Sequence, residues 1–271
     1  MRTAPARSRL GAEHISAGYG GDPVVRDLTL DVPDGLVTTI VGPNGCGKST
    51  VLRTLARLLR PTRGRVRLDG EPIDAVSTRE VSRRLALLPQ SPVAPDGLLV
   101  RDLVGRGRHP HQRWFRQWSP DDEAVVEEAL RLTDTWELRD RAIDQLSGGQ
   151  RQRAWIAMTL AQDTDLVLLD EPTTFLDLAH QVEVLDLVSR LNRERGRTVA
   201  MVLHDLNLAA RYSDLVVVMK DGAVVTQGPP REVFTVELLD EVFGLLADVL
   251  EDPRTGLPVV VPMSARAPAV S

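Results

Sequence analysis

The sequence predicts an α/β fold organised around a phosphate-binding site, and three observations carry that expectation. The stretch Gly42-Pro43-Asn44-Gly45-Cys46-Gly47-Lys48-Ser49-Thr50 satisfies the pattern G-x-x-x-x-G-K-[ST] without a mismatch. A β-branched apolar run, Val37-Thr38-Thr39-Ile40-Val41, precedes it and helical spacing follows from Val51 to Ala56, so the loop joins a strand to a helix. Two later apolar runs, from Leu166 and from Thr198, end on groups that carry chemistry: Asp170-Glu171 and His204.

Taken in order, residues 1 to about 10 read as a loose arm. Ile15 to Tyr19 and Leu28 to Val32 then alternate like half-exposed strands, separated by the turn residues Gly20, Gly21, Asp22 and Pro23. Tyr19 is one of two tyrosines, and an aromatic ahead of a phosphate loop can stack on a purine ring; core packing is the competing role. In the loop, glycines clear the way for backbone N–H groups to curl around phosphate oxygens, and the following helix points its positive end at the same anion. Lys48 supplies a point charge to the terminal phosphates, and the Ser49 hydroxyl suits a Mg²⁺ ion that stays bound to phosphate.

Pro61 to Gly64 is a turn and Arg65 to Gly70 a strand with a second turn. Leu85 to Leu88 is an apolar strand that stops at Pro89 and leaves the Gln90 amide at a strand C-terminal end, where open α/β sheets bind ligands. Gln90 is thereby a candidate for contacting Mg²⁺ or the attacking water. From Ser91 to about Gln162 prolines and glycines break the chain before helical periodicity at Asp121 to Leu132, which predicts a mainly helical insertion. Trp114, Phe115 and Trp118 gather there among arginines and histidines, as a partner surface or as the packing of a small lobe.

Leu146-Ser147-Gly148-Gly149-Gln150 opens a helix. Ser147 and Gln150 have capping-box spacing. The two glycines go beyond capping, since they expose N–H groups at a helix N-terminus and make a second phosphate-binding surface. The continuous apolar run Leu166 to Leu169 suits a parallel strand covered on both faces. Of the carboxylates that end it, Asp170 can serve the Mg²⁺ shell and Glu171 can orient or deprotonate water. Pro172 to Asp177 leaves as a loop. The strand Thr198 to Leu203 ends at His204, within reach of a γ-phosphate; Leu215 to Met219 and Ala223 to Val225 flank Asp221-Gly222 as a hairpin. A helical piece is expected from Arg231 to about Leu250, and the proline-bearing remainder reads as a frayed tail.

Composition narrows the classes. With 271 residues, 42% of them hydrophobic, the chain can bury a core, and a net charge of -5 disfavours a nucleic-acid partner. Cys46 is the one cysteine, so no internal disulfide forms and a reducing compartment fits; it either fills a free loop position or presents a thiol activated by the helix N-terminus. No apolar stretch reaches the length of a membrane span and residues 1–10 lack an apolar core, so neither anchor nor signal peptide is expected.

These stretches together resemble the ATP-binding subunit of ATP-binding-cassette (ABC) transporters over roughly residues 11–250. The resemblance rests on Tyr19, the loop at 42–50, Gln90, Leu146 to Gln150, Asp170-Glu171, Asp177 and His204 in that order. It implies a P-loop NTPase core (about 11–90 and 162–228) with an N-terminal antiparallel β subdomain, an inserted α-helical subdomain (about 91–161), a C-terminal helical piece (about 229–250) and loose termini at 1–10 and 251–271. It further implies ATP and Mg²⁺ as cofactors, and a head-to-tail homodimer in which Ser147, Gly148, Gly149 and Gln150 of one copy face phosphates held by the other, with Asp177 also at the nucleotide. The dimer would sit on integral-membrane permease subunits at the cytoplasmic face of the membrane, served by an external substrate-binding protein. Gly107 to His111, Gln150 to Met158, His180-Gln181 and Leu203 to Asn207 resemble importers of ferric siderophores, haem and cobalamin, with ferric siderophore the expected cargo; His109 and Phe175 depart from the common pattern. Two rivals are a soluble cassette ATPase acting on DNA or ribosomes, disfavoured by the acidity and the lack of a second cassette, and a non-catalytic scaffold, which has no use for Glu171 and His204.

Overall fold

The computed structural model describes residues 8–112, 118–174 and 176–265. The chain divides into two compact units, Met1–Ile73 with Ala200–Ser271, and Asp74–Val199.

The first unit opens with β1 (Ser8–Ala17) and β2 (Val25–Pro33), an antiparallel pair. Residues 8–10, expected in a loose arm, belong to β1, where Leu10 is buried and pairs with both Val32 and Leu68. β3 (Val37–Val41) is buried along its length and runs into the phosphate loop and α1 (Lys48–Leu55). β4 (Arg63–Leu68) and the short β5 (Glu71–Pro72) complete a four-stranded sheet in the order β2-β1-β4-β5. This is the N-terminal antiparallel sheet.

In the second unit, α2 (Thr78–Arg84) is capped by Ser77 and leads into β6 (Leu85–Leu88). α3 (Val100–Gly105), α4 (Pro120–Leu132) and α5 (Gly148–Ala161) supply the expected helices, α4 with Ser119 as cap and a reciprocal Asp122. A buried Arg108 binds Asp122 Oδ1 at 2.8 Å and the Ala161 carbonyl at 2.8 Å, pinning the turn before α4 to the end of α5. Burial pushes the Asp122 carboxyl up, but the Arg108 and Ser119 hydrogen bonds outweigh it and hold the group below the usual carboxylate range. β7 (Leu166–Asp170) is buried throughout and pairs in parallel with β6. α6 (Leu178–Arg195) follows, where the sequence reading placed no helix. Its signals are the Asp177 cap, buried Val184, Leu187, Val188 and Leu191 at helical spacing, and Gly196 in the left-handed conformation that closes it. β8 (Thr198–Val202) lies beside β7, and its last residues, in the first unit, lie beside β3.

The rest of the first unit begins with α7 (Leu206–Tyr212), capped by Asp205, and the hairpin of β9 (Leu215–Lys220) and β10 (Ala223–Gly228); β9 pairs in parallel with β3. The C-terminal region differs from expectation. Helix is confined to α8 (Pro230–Val233) and α9 (Val236–Phe243), and Gly244, at φ 61°, ends it. β11 (Leu245–Glu251) and β12 (Pro258–Ala265) then form an antiparallel pair in place of helix to Leu250 and a frayed tail. The prolines are compatible because Pro258 starts its strand and Pro262 pairs at a register shift, positions that need no ladder donor. The Asn207 side chain takes both backbone groups of Val260, accepting from its N–H at 2.7 Å and donating to its carbonyl at 3.1 Å. One amide thus closes a strand edge.

Candidate functional site

The phosphate loop is shaped by backbone that only glycine adopts freely. Gly42, Gly45 and Gly47 have φ of 155°, 78° and 100°. A Cβ on Gly42 would stand 2.2 Å from the Met219 carbonyl oxygen, so β9 presses against the start of the loop. One on Gly47 would stand 3.0 Å from a Val25 methyl. Lys48 is buried, and its Nζ donates to the carbonyls of Gly42 at 2.8 Å and Pro43 at 2.9 Å, which folds the ammonium back across the loop. An ammonium held in a cradle of left-handed glycines at the start of a helix fits a polyphosphate. Asn44 and Gly45 are exposed at the tip, while Ser49 is half-buried and Thr50 buried on α1.

Cys46 is 5% exposed, its sulfur 2.8 Å from where a Gly42 Cβ would be. Burial pushes its thiol up, and the Lys48 charge offsets this only in part. Of the two roles, filling the loop is the one the structure supports. Tyr19 is 61% exposed, which removes core packing as its role, and its hydroxyl accepts from Arg53 Nη1 at 3.1 Å.

In the second unit, Gln90 and Glu171 are brought together: Gln90 Nε2 donates to Glu171 Oε2 at 2.7 Å. Thr174 Oγ1 donates to the same oxygen at 3.0 Å. Glu171 is 8% exposed and sits at φ 54°, a conformation non-glycine residues seldom take. Asp170, at the end of β7, is 1% exposed. The sequence reading missed Thr174; its signal is a hydroxyl three residues after a strand-end glutamate, short enough to reach back.

Ser147 caps α5 with both arms of the capping box in place, Gln150 N–H to Ser147 Oγ at 3.3 Å and Ser147 N–H to Gln150 Oε1 at 3.1 Å. Gly148 is exposed with nothing within 4 Å of a would-be Cβ, whereas one on Gly149 would meet the His180 ring at 3.3 Å. Asp177 caps α6 and accepts from the His180 N–H at 3.0 Å; that bond, and the His180 ring beside it, hold its carboxyl below the usual range. His204 is exposed just beyond the end of β8. Trp118 is 46% exposed beside Gly105, while Trp114, Phe115 and Phe175 lie outside the described residues.

Ser49, half-buried on α1 in the first unit, offers a hard hydroxyl oxygen, and Asp170, buried at the end of β7 in the second, a hard carboxylate; each by itself is a donor type that Mg²⁺ takes. Among the described residues no group of three or more His, Cys, Asp or Glu forms a cage. No described helix is long and apolar enough to cross a membrane.

Residues 25–174 match the ABC transporter family. The chain is 50% identical over 264 residues to the ferric enterobactin transport ATP-binding protein FepC of Escherichia coli (strain K12), covering 97% of each. It is 50% identical over 250 residues to the iron(3+)-hydroxamate import ATP-binding protein FhuC of Bacillus subtilis (strain 168), covering 92% of this chain and 93% of the relative. A solved ABC transporter assigned to the metal-chelate type, in an inward-facing conformation, superposes with TM-score 0.81 at 28% identity, over 95% of this chain and 98% of that one. The cassette MJ0796 in a post-hydrolysis state with ADP and Pi superposes with TM-score 0.72 at 26% identity, over 81% and 98%. Half-identical to transport ATP-binding proteins along nearly its full length, and carrying the cassette fold, this chain belongs to the ABC transporter family as an ATP-hydrolysing subunit.

Proposed function

We propose that this subunit powers import of a ferric siderophore. The observation that carries the reading is that relatives 50% and 52% identical are named for ferric enterobactin transport and siderophore transport. Haem is the second reading, since a hemin import ATP-binding protein, HmuV of Thermobifida fusca (strain YX), is 42% identical over 255 residues. Cobalamin is a further metal chelate of the same class.

In the mechanism we infer, Gly42 to Thr50 cradle the phosphates through backbone N–H groups and Lys48 turns its ammonium from the loop carbonyls onto the terminal phosphate. Tyr19 stacks on the base. Ser49 and Asp170, with Gln90, would hold Mg²⁺, whose charge would offset that on the transferring phosphoryl group. Glu171 takes the proton of the attacking water, kept in place by the Gln90 and Thr174 hydrogen bonds, and His204 contacts the γ-phosphate. Ser147, Gly148, Gly149 and Gln150, with Asp177, face the nucleotide of the second copy. Gly148, open in the single chain, supports such an approach. A permease pair, a binding protein and residence at the cytoplasmic membrane face complete the assembly. An open groove of about 670 Å³ in the second unit, lined by Arg101, Arg106, His109, Trp118, Trp136 and Arg139, is the surface offered to the permease.

The test is transport by vesicles holding this chain with its copurifying permease and binding protein. ATP-dependent accumulation of radiolabelled iron from a ferric catecholate or hydroxamate is expected. Accumulation of haem or cobalamin and no ferric siderophore would transfer the assignment to that cargo.

A further inference from the structure

Tyr19 is exposed, and its side chain hydrogen-bonds to Arg53. It follows the end of β1 and precedes Gly20 and Gly21, at φ 109° and 76°, around which nothing lies within 4 Å of a would-be Cβ. Beyond the turn the chain is anchored again: methyls of Val24 and Val25 lie 3.4 and 3.0 Å from the Cβ position of Gly47, so the segment returns over the phosphate loop. The ring is therefore carried on a segment that returns over the phosphate loop. Its hydroxyl accepts from Arg53 at 3.1 Å. Arg53 lies on α1, five positions after Lys48, on the helix whose N-terminus forms the loop.

We propose that Arg53 is a positioning residue of the nucleotide site: its guanidinium holds the Tyr19 ring in the orientation in which the ring face receives the purine base. This rests on the base-stacking role given to Tyr19 above. The helix that presents Lys48 to the phosphates thereby also sets the plane on which the base lies, and one rigid element fixes both ends of the nucleotide. Because the hydroxyl is turned back to Arg53, the ring offers the base its π face, which receives adenine and guanine alike.

The experiment uses the purified full chain, with ATP hydrolysis and competitive inhibition by inorganic tripolyphosphate, which has phosphates and no base. Arg53→Met keeps the stem and removes the donors; Tyr19→Phe keeps the ring and removes the acceptor. Each is expected to raise the KM for ATP about fivefold, the scale of one lost hydrogen bond, with kcat changed less than twofold and the tripolyphosphate constant unmoved. The double variant is expected to match either single one, since both remove the same bond, and Arg53→Lys to recover part of the loss. Additive effects of the two substitutions, or a tripolyphosphate constant that weakens in step with ATP, would overturn the proposal by placing Arg53 on the phosphates or on general stability. Tyr19→Ala separates the two layers. If it leaves the KM for ATP unchanged, the stacking role itself is wrong; if it raises KM while Arg53→Met does not, only the role of Arg53 is lost.

Discussion

Lys48 is one of two lysines in the chain; its ammonium is buried against two loop carbonyls, while that of the other, Lys220, donates to the Glu241 carbonyl. Lys48→Ala is expected to lower ATP hydrolysis at least a hundredfold, roughly the scale of losing a preorganised donor to transition-state charge. Phosphate release from the purified chain measures it. Glu171→Gln tests a different function. It keeps the size of the side chain but removes the base, so hydrolysis should fall about a hundredfold or more while ATP binding stays. Hydrolysis near the wild-type rate would move the base elsewhere, with His204 the first candidate. Most of these residues were legible in the sequence, because a strand that ends in Asp-Glu and a glycine loop that ends in Lys-Ser-Thr announce their chemistry locally. The hydrogen bonds that fix Glu171 were not, since Gln90 is separated from it by 81 positions and nothing in either neighbourhood names the other.

At the scale of elements, what could be read was whatever closes within a few residues. The capping box at Ser147 and Gln150, the β9–β10 hairpin and the strand before the phosphate loop are all short-range, and all are present. The β11–β12 pair was misread for the opposite reason. Its prolines look like interruptions, and the group that satisfies the outer edge of β12 is the side chain of Asn207, 53 positions away. Asn207→Ala removes both bonds and leaves the Val260 backbone groups unmatched, which should cost about 1–3 kcal/mol of stability. Urea denaturation reads this, and Asn207→Leu, close in volume but without the amide, should lose as much. An unchanged midpoint in both would show that the hairpin is held by apolar contact alone.

At the scale of the molecule, the two surfaces suited to phosphate are on different units of the chain, the loop at 42–50 on the first and the start of α5 on the second. A nucleotide shared by two copies gives both a use. With Mg²⁺ and ATP the Glu171→Gln chain is expected to elute as a dimer on size exclusion, and with ADP as a monomer, because ADP lacks the phosphate that the second copy would grip. Elution as a monomer under both conditions, repeated on the complex with its permease, would count against a nucleotide-bridged pair. The placement of Cys46 has a practical corollary. As the only thiol in 271 residues, buried where the phosphates would lie above it, it turns the chain into its own stopwatch. A maleimide or disulfide reagent can mark it only during the intervals when the loop springs open, so the rate of marking counts those excursions without any probe being engineered in. Nucleotide should slow the clock in proportion to occupancy, and a marked molecule, with a bulky adduct wedged beside Gly42, drops out of turnover, for good with maleimide and until a reductant is added with a disulfide reagent.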